Sequence, residues 1–312
     1  MTDYTIGVDI SKAHLDVYRL PDGACAQFGN NAGGFRDLVK WIDTLSVERI
    51  VYEPTGSYHL DMEAALTRID LPLVKVNPLY AKRFAQACGT RTKTDEVDAR
   101  MLARLGVALQ PDYTRVPSPI QRDLKALQIA RMALIKDRTA AKNRAKQIRI
   151  TLLRRQNAKR LRQIENDLQA IEQAMLALIE TEDATARTFQ IVRSIPGIGD
   201  ITAAALLVEL PELGTLTPKK AASLAGLAPY TRQSGQWKGT SFIGAGRKFL
   251  RNALYMPALV ACRYNPDMKA KYQQLVEAGK PAKVAITAIM RKLIILANAL
   301  IKNNRKWTPK HT

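Results

Sequence analysis

Apolar positions in the first third of the chain change period several times, and each change predicts a different element. Residues 4–10 (YTIGVDI) are a short apolar run closed by an acid, residues 15–20 (LDVYRL) alternate with a period of two, and a weaker alternation covers 24–28. Turn residues lie between them at Ser11-Lys12 and Pro21-Asp22-Gly23, so these segments predict a meander of strands. Phe35, Leu38, Val39 and Ile42 then share one face of a helix over 35–45. Residues 49–52 (RIVY) read as a buried strand running into Glu53-Pro54-Thr55-Gly56. A helix near 58–69, a strand over 73–76 and helices over 78–87 and 95–109 follow. Strands first, then helix and strand in turn, predict an α/β sheet with mixed pairing.

Beyond Pro117-Ser118-Pro119, which can start a helix, the pattern becomes purely helical. Leu161, Ile164, Leu168, Ile171, Met175 and Leu178 recur at alternating spacings of three and four, the seam of a coiled coil. Upstream, Leu124, Leu127, Leu134, Ala141, Ala145, Ile148 and Leu152 offer it a partner face. A break near Gln156-Asn157 would fold the two halves into a hairpin; a single long helix is the alternative. The C-terminal third is mostly helical. Its most apolar stretch, residues 284–301, is interrupted by Arg291-Lys292 and reads as a core helix rather than a membrane span. The expected domains are 1–115, 116–188 and 189–312.

Charge sharpens this picture. The 312 residues carry 48 Lys and Arg against 28 Asp and Glu, a net charge of +20, which points to a polyanionic partner. Residues 121–163 hold fourteen of those bases and two acids, while 164–183 hold six acids and no base. Such a basic arm, with Arg144, Lys146, Arg149, Arg154 and Arg155 near its middle, suits a nucleic-acid backbone. Its bland alternative is a solvated dimerisation coil. Cys25, Cys88 and Cys262 are scattered and read as buried, reduced thiols of a cytosolic protein, and His14, His59 and His311 form no zinc pattern. No basic-then-apolar signal opens the chain.

The candidate chemistry is carboxylate chemistry. Thr94 or Asp95 can cap the helix that follows, in which Val97, Met101, Leu102 and Leu105 are apolar. Asp95 and Asp98 share a face and Glu96 points elsewhere; like charges so placed call for a cation or a basic partner nearby, while the bland alternative is a solvated helix start, where acids suit the N-terminus. Asp9 and Glu53 each sit at the end of a strand, where ligands collect in open α/β sheets. Four carboxylates without histidine suit Mg²⁺ or Mn²⁺, and a pair of such ions serves phosphoryl displacement.

Gly7-Val8-Asp9-Ile10-Ser11-Lys12, Tyr52-Glu53-Pro54-Thr55-Gly56 and Lys93-Thr94-Asp95-Glu96-Val97-Asp98-Ala99-Arg100 together resemble the DEDD transposases. These are insertion-sequence recombinases with a RuvC-like, ribonuclease H-type N-terminal domain. The resemblance implies that Asp9, Glu53, Asp95 and Asp98 are a metal-binding tetrad for two Mg²⁺ or Mn²⁺ ions. It implies donor and target DNA as substrates, a structured bridge RNA as guide, a homo-oligomer (a dimer, or a tetramer on DNA), no membrane, and a prokaryotic cytoplasmic location. An actin-like ATPase also opens with a strand ending in Asp, but Ile10-Ser11-Lys12-Ala13 lacks its Gly/Thr-rich phosphate turn.

Two further segments bear on the substrate. Ser194-Ile195-Pro196-Gly197-Ile198-Gly199-Asp200, before an Ala/Leu-rich helix, looks like a helix-hairpin-helix turn in which Gly197 and Gly199 let backbone N–H groups meet a phosphate; an ordinary interhelical turn is the alternative. Residues 226–239 (GLAPYTRQSGQWKG) read as a polar loop or short ribbon, flanked by Arg232, Lys238, Arg247 and Lys248. A serine there is ordinarily just a loop serine. The resemblance, carried by the Ser-Gly pair after the Gly-Leu-x-Pro turn, implies that Ser234 is the nucleophile, so that strand exchange proceeds through a phosphoserine. The rival readings are a RuvC-like structure-specific endonuclease acting by water attack, and a non-catalytic RNA-binding protein.

Overall fold

A computed structural model describes residues 3–42, 45–89, 94–114, 117–230, 233–234, 237–239 and 241–309, with the backbone alone at 233–234 and 237–238. The chain divides into two compact units, Met1–Pro117 and Ser118–Thr312.

In the first unit the meander forms as expected: β1 (Asp3–Ile10), β2 (His14–Leu20) and β3 (Cys25–Gly29) pair antiparallel. α1 (Ala32–Ile42) leads to β4 (Ser46–Tyr52), which pairs parallel to β1. Then come α2 (Leu60–Thr67), β5 (Leu73–Lys75) parallel to β4, α3 (Pro78–Ala87) and α4 (Asp95–Leu109). The sheet order is β3-β2-β1-β4-β5. Strand alternation divides the side chains between two layers. Ile6, Val8, Ile10, Ile50 and Tyr52 pack with Phe35, Leu38, Met62 and Leu66 on the α1/α2 side, while Val51, Val74 and Val76 pack with Leu102 and Leu105 on the α4 side. The parity that buries Ile6 and Val8 on one side turns Thr5, Gly7 and Asp9 to the other.

The second unit opens with α5 (Pro119–Ala145), started by a capping box between Ser118 and Gln121, and α6 (Thr151–Glu180). They form a hairpin with Ala141, Ile164 and Leu168 at its core. The break falls at 146–150, not near Gln156-Asn157. Asn157 lies inside α6, buried, and its amide donates to the Ala141 carbonyl at 3.1 Å. The turn instead sits among the β-branched residues Ile148, Ile150 and Thr151, which are weak helix formers. Arg131 meets Glu172 at 2.7 Å and Lys142 meets Glu165 at 3.7 Å, so the acidic half of α6 neutralises part of α5. The uncompensated charge gathers at the turn, where Arg144, Lys146, Arg149, Arg154 and Arg155 are all exposed.

α7 (Asp183–Arg193), α8 (Asp200–Glu209) and α9 (Pro218–Leu224) follow. An interrupted antiparallel ribbon comes next, with β6 (Pro229–Tyr230) on β9 (Phe242–Ile243) and, nested within, β7 (Gln233–Ser234) on β8 (Trp237–Lys238). α10 (Lys248–Ala253), α11 (Tyr255–Tyr264), α12 (Pro266–Glu277) and α13 (Ala282–Lys302) complete the unit. α13 is long and apolar enough to cross a membrane by length and composition, yet Ile289, Leu293, Ala297 and Leu300 lie at the centre of the helical core. The cysteines depart from expectation. All three are free, but Cys25 and Cys88 are exposed and Cys262 is half-buried. Cys25 is on the edge strand β3 and Cys88 ends α3, positions the core does not cover.

Candidate active site

α4 begins where its sequence dictates. The Thr94 hydroxyl accepts the Val97 N–H at 3.4 Å, and Asp95, Glu96 and Asp98 occupy the first turn, where the helix dipole favours acids. The helix lies almost on the backbone of β1. A Cβ at Gly7 would stand 2.0 Å from the Ala99 carbonyl oxygen and 2.5 Å from the Ala103 nitrogen, and a Cβ at Gly106 would meet Val51 and Thr5 side chains at 2.6 and 2.8 Å. Glycine on the strand and small residues on the helix therefore permit one seating, and that seating brings the start of α4 to the end of β1.

Asp9 reports the result. Its carboxyl pKa is pushed up to about 6, first by burial, then by the charges of Asp98, Asp95 and Asp16, against a backbone hydrogen bond at Ile10 that favours the anion. Asp16 faces Asp9 across the β1–β2 pair and is partly occupied by the Gln27 amide at 2.7 Å. Glu53 follows Tyr52, whose pairing partner in the parallel register is Val8, so Asp9 and Glu53 each follow the last paired residue of adjacent strands. Both are half-buried. Glu96 turns away, as expected, and takes the Cys25 thiol at 3.7 Å.

Asp9, Asp95 and Asp98 are thus coupled electrostatically, and Glu53 is placed near Asp9 by strand register alone; among the described residues, no three Asp, Glu, His or Cys hold a metal ion as they stand. The donors themselves fit a hard divalent cation. They are carboxylate oxygens only, and the repulsion that adds to burial in raising Asp9 is what such a cation would relieve.

This geometry predicts that Gly7→Ala costs about 1–3 kcal/mol or more, because the clash is with helix backbone that cannot move aside. Thermal denaturation should show the loss, and any folded fraction should bind Mn²⁺ more weakly than the parent, since α4 must retreat from Asp9. The mid-strand glycine in YTIGVDI was a readable sign of close approach that the sequence reading left unused.

The other candidates are distributed through the second unit. Ser234 is the last residue of β7, paired with Trp237 of β8; its side chain, and all of Arg232, lie outside the described residues, and Lys238 is described by its backbone in β8. At the ribbon's base the exposed rings of Tyr230 and Phe242 stack at 5.9 Å. Lys248 is exposed at the start of α10. Arg247 serves the fold: its guanidinium forks onto Glu212 at 2.8 and 2.7 Å and also donates to the Glu209 carbonyl. Gly197, with φ of +105°, packs against α11, where a Cβ would meet the Pro257 carbonyl at 2.8 Å; Gly199 caps α8 and faces open space.

A buried polar group with no sequence signature lies on the α1/α2 side of the sheet, where β4 ends. The Tyr52 hydroxyl donates to Glu63, which also meets Lys75 and His59. Burial and the Glu63 charge raise the Tyr52 pKa, while burial holds His59 below its ordinary value. These four residues lie at positions 52, 59, 63 and 75, with no spacing that betrays them.

Comparison with known proteins gives concordant matches. Residues 189–273 match the model of the transposase IS116/IS110/IS902 family, and residues 6–154 match a DEDD transposase model of the IS110 type. The chain is 32% identical to a pilin gene-inverting protein of Moraxella bovis, over 98% of each chain, and equally so to that of Moraxella lacunata. It is also 28% identical, over 44% of its length and 35% of the relative's, to an uncharacterized 42 kDa protein of insertion element IS900 from Mycobacterium paratuberculosis.

Proposed function

The chain belongs to the IS116/IS110/IS902 family of transposases and is therefore a DNA-recombining enzyme; within that family we propose that Asp9, Glu53, Asp95 and Asp98 hold divalent metal in a RuvC-like, ribonuclease H-type domain, and that Ser234 supplies the attacking hydroxyl. The observation that supports this most is the seating of α4 on Gly7, through which Asp98 and Asp95 act on the Asp9 carboxyl. Two Mg²⁺ or Mn²⁺ ions bound there would stabilise the entering and departing oxygens of an in-line displacement.

The chain's own residues do the rest. Oγ of Ser234 forms a bond to a DNA phosphorus as the bond from phosphorus to a sugar oxygen breaks. The serine proton is released, and the sugar oxygen departs as a hydroxyl. The phosphoserine retains the energy of the phosphodiester, so a strand hydroxyl can reverse the step and rejoin DNA without ATP.

The exposed basic turn of the α5–α6 hairpin, with Arg144, Lys146, Arg149, Arg154 and Arg155, is the proposed contact for a structured noncoding RNA that guides the enzyme, and Lys248 a contact for DNA. The working form on DNA is a homo-oligomer. The pilin gene-inverting relatives bring inversion of a DNA segment within the same chemistry.

The test is strand exchange by the full chain on the terminal DNA of its own element, with Mg²⁺ and with RNA transcribed from the flanking noncoding sequence. Joined products that require both are expected. Cut strands that never rejoin would favour the endonuclease acting by water attack.

A further inference from the structure

The segment from Glu53 to His59 joins the end of β4 to the start of α2, and both of its ends are tied to one buried carboxylate. Glu63, 2% exposed, lies one turn into α2. Its carboxylate accepts the hydroxyl hydrogen bond of Tyr52, lies 2.5 Å from Nζ of Lys75 on β5, and lies 3.7 Å from Nε2 of His59. Its backbone N–H donates to the His59 carbonyl at 2.9 Å. A separate tie crosses the same region. The Asn30 amide donates to the Ser11 carbonyl at 2.8 Å and to the Tyr58 carbonyl at 3.0 Å. Ser11 belongs to the turn after Asp9 and Tyr58 to the loop after Glu53, so one side chain bridges the two turns that follow the two strand-end acids.

Stability alone gives a poor account of this arrangement. Burying a carboxylate costs several kcal/mol, and an ion pair with one lysine seldom returns more than well-packed apolar residues would. What the cluster does achieve is to fix β4, β5 and α2 together at the point where Glu53 leaves the sheet. Tyr52, wholly buried, cannot shift without breaking its bond to Glu63.

We infer that Glu63, acting through Tyr52 and with Asn30 as cross-brace, is a positioning residue that sets where the Glu53 carboxylate stands relative to Asp9, and thereby the affinity of the acid cluster for a divalent cation. This rests on the reading of Glu53 as a metal ligand. Groups that orient a ligand in this way change metal affinity by about 10–100-fold when removed.

The experiment is a Mn²⁺ titration of the full-length chain, with free Mn²⁺ followed by electron paramagnetic resonance, alongside the Mn²⁺ dependence of strand cleavage. The variants are Tyr52→Phe, Glu63→Gln and Glu53→Gln. Tyr52→Phe keeps the ring and removes one hydroxyl, so it carries the test even if Glu63→Gln fails to fold. Tyr52→Phe is expected to weaken Mn²⁺ binding about 10–100-fold. Half-saturation of cleavage should move by the same factor, and the rate at saturating Mn²⁺ should return to within a few-fold of the parent. A lower maximal rate with unchanged Mn²⁺ affinity marks a merely structural role and overturns the inference. If Glu53→Gln weakens binding while folded Tyr52→Phe and Glu63→Gln do not, the inference falls and the metal reading stands. If Glu53→Gln itself leaves Mn²⁺ binding unchanged, both fall.

Discussion

Asp98→Asn is expected to abolish strand cleavage by the full chain in Mg²⁺ while leaving its affinity for RNA unchanged. The substitution keeps the shape of the side chain and its place in the first turn of α4, so helix and sheet remain seated on each other. It removes one of the charges that raise Asp9 and, on the proposed reading, one ligand oxygen. Transition-state charge stabilised by a bound cation amounts to several kcal/mol, so cleavage should fall about a thousandfold or more. The exposed basic turn of the α5–α6 hairpin belongs to the other compact unit and keeps all its charge. Cleavage assays on labelled terminal DNA and filter binding with flanking RNA measure the two quantities separately. Loss of RNA binding in this variant would show that the acids and the basic turn do not have separate roles.

Ser234→Ala should remove the covalent protein–DNA species from denaturing gels and reduce strand exchange by about four orders of magnitude or more, the scale seen when a covalent nucleophile is deleted. Mn²⁺ binding should be unaffected, because the acids sit in the first unit and the serine at the end of β7 in the second. Cleavage that persists in Ser234→Ala, with a free phosphate at the cut, would assign the attack to water.

The fold and the candidate site are legible in the amino-acid sequence to different degrees. α4 could be read to its ends, Asp95–Leu109, because a capping threonine, acids in the first turn and apolar spacing all agree. The meander and the parallel strands were equally plain, since each switches the period of its apolar positions. Why the start of α4 comes to lie at the end of β1 was less plain. That depends on Gly7 lying against Ala99 and Ala103, a contact between segments ninety residues apart. The hairpin turn lies at 146–150 rather than near Gln156-Asn157, and Asn157 stays helical although it is polar and a poor helix former. Its amide is in fact consumed by the Ala141 carbonyl inside the packed pair. Nothing local in GAGRKFLR betrays the fork of Arg247 onto Glu212, thirty-five residues earlier. Ser234 has no local signature at all, and its assignment comes from the resemblance alone.

Whether Asp9, Glu53, Asp95 and Asp98 converge on divalent cations is decided by cleavage of the protein backbone by a substituted metal. Fe²⁺ would replace Mg²⁺ in the full-length chain bound to its terminal DNA, ascorbate and peroxide would generate hydroxyl radicals at the metal, and the protein fragments would be mapped by mass spectrometry. The account predicts cuts confined to the end of β1 at Asp9, the turn at Glu53 and the first turn of α4 at 95–98, all suppressed by excess Mg²⁺ and lost in Asp9→Asn. Cuts that fall elsewhere, or that spare any one of these three segments, would contradict it.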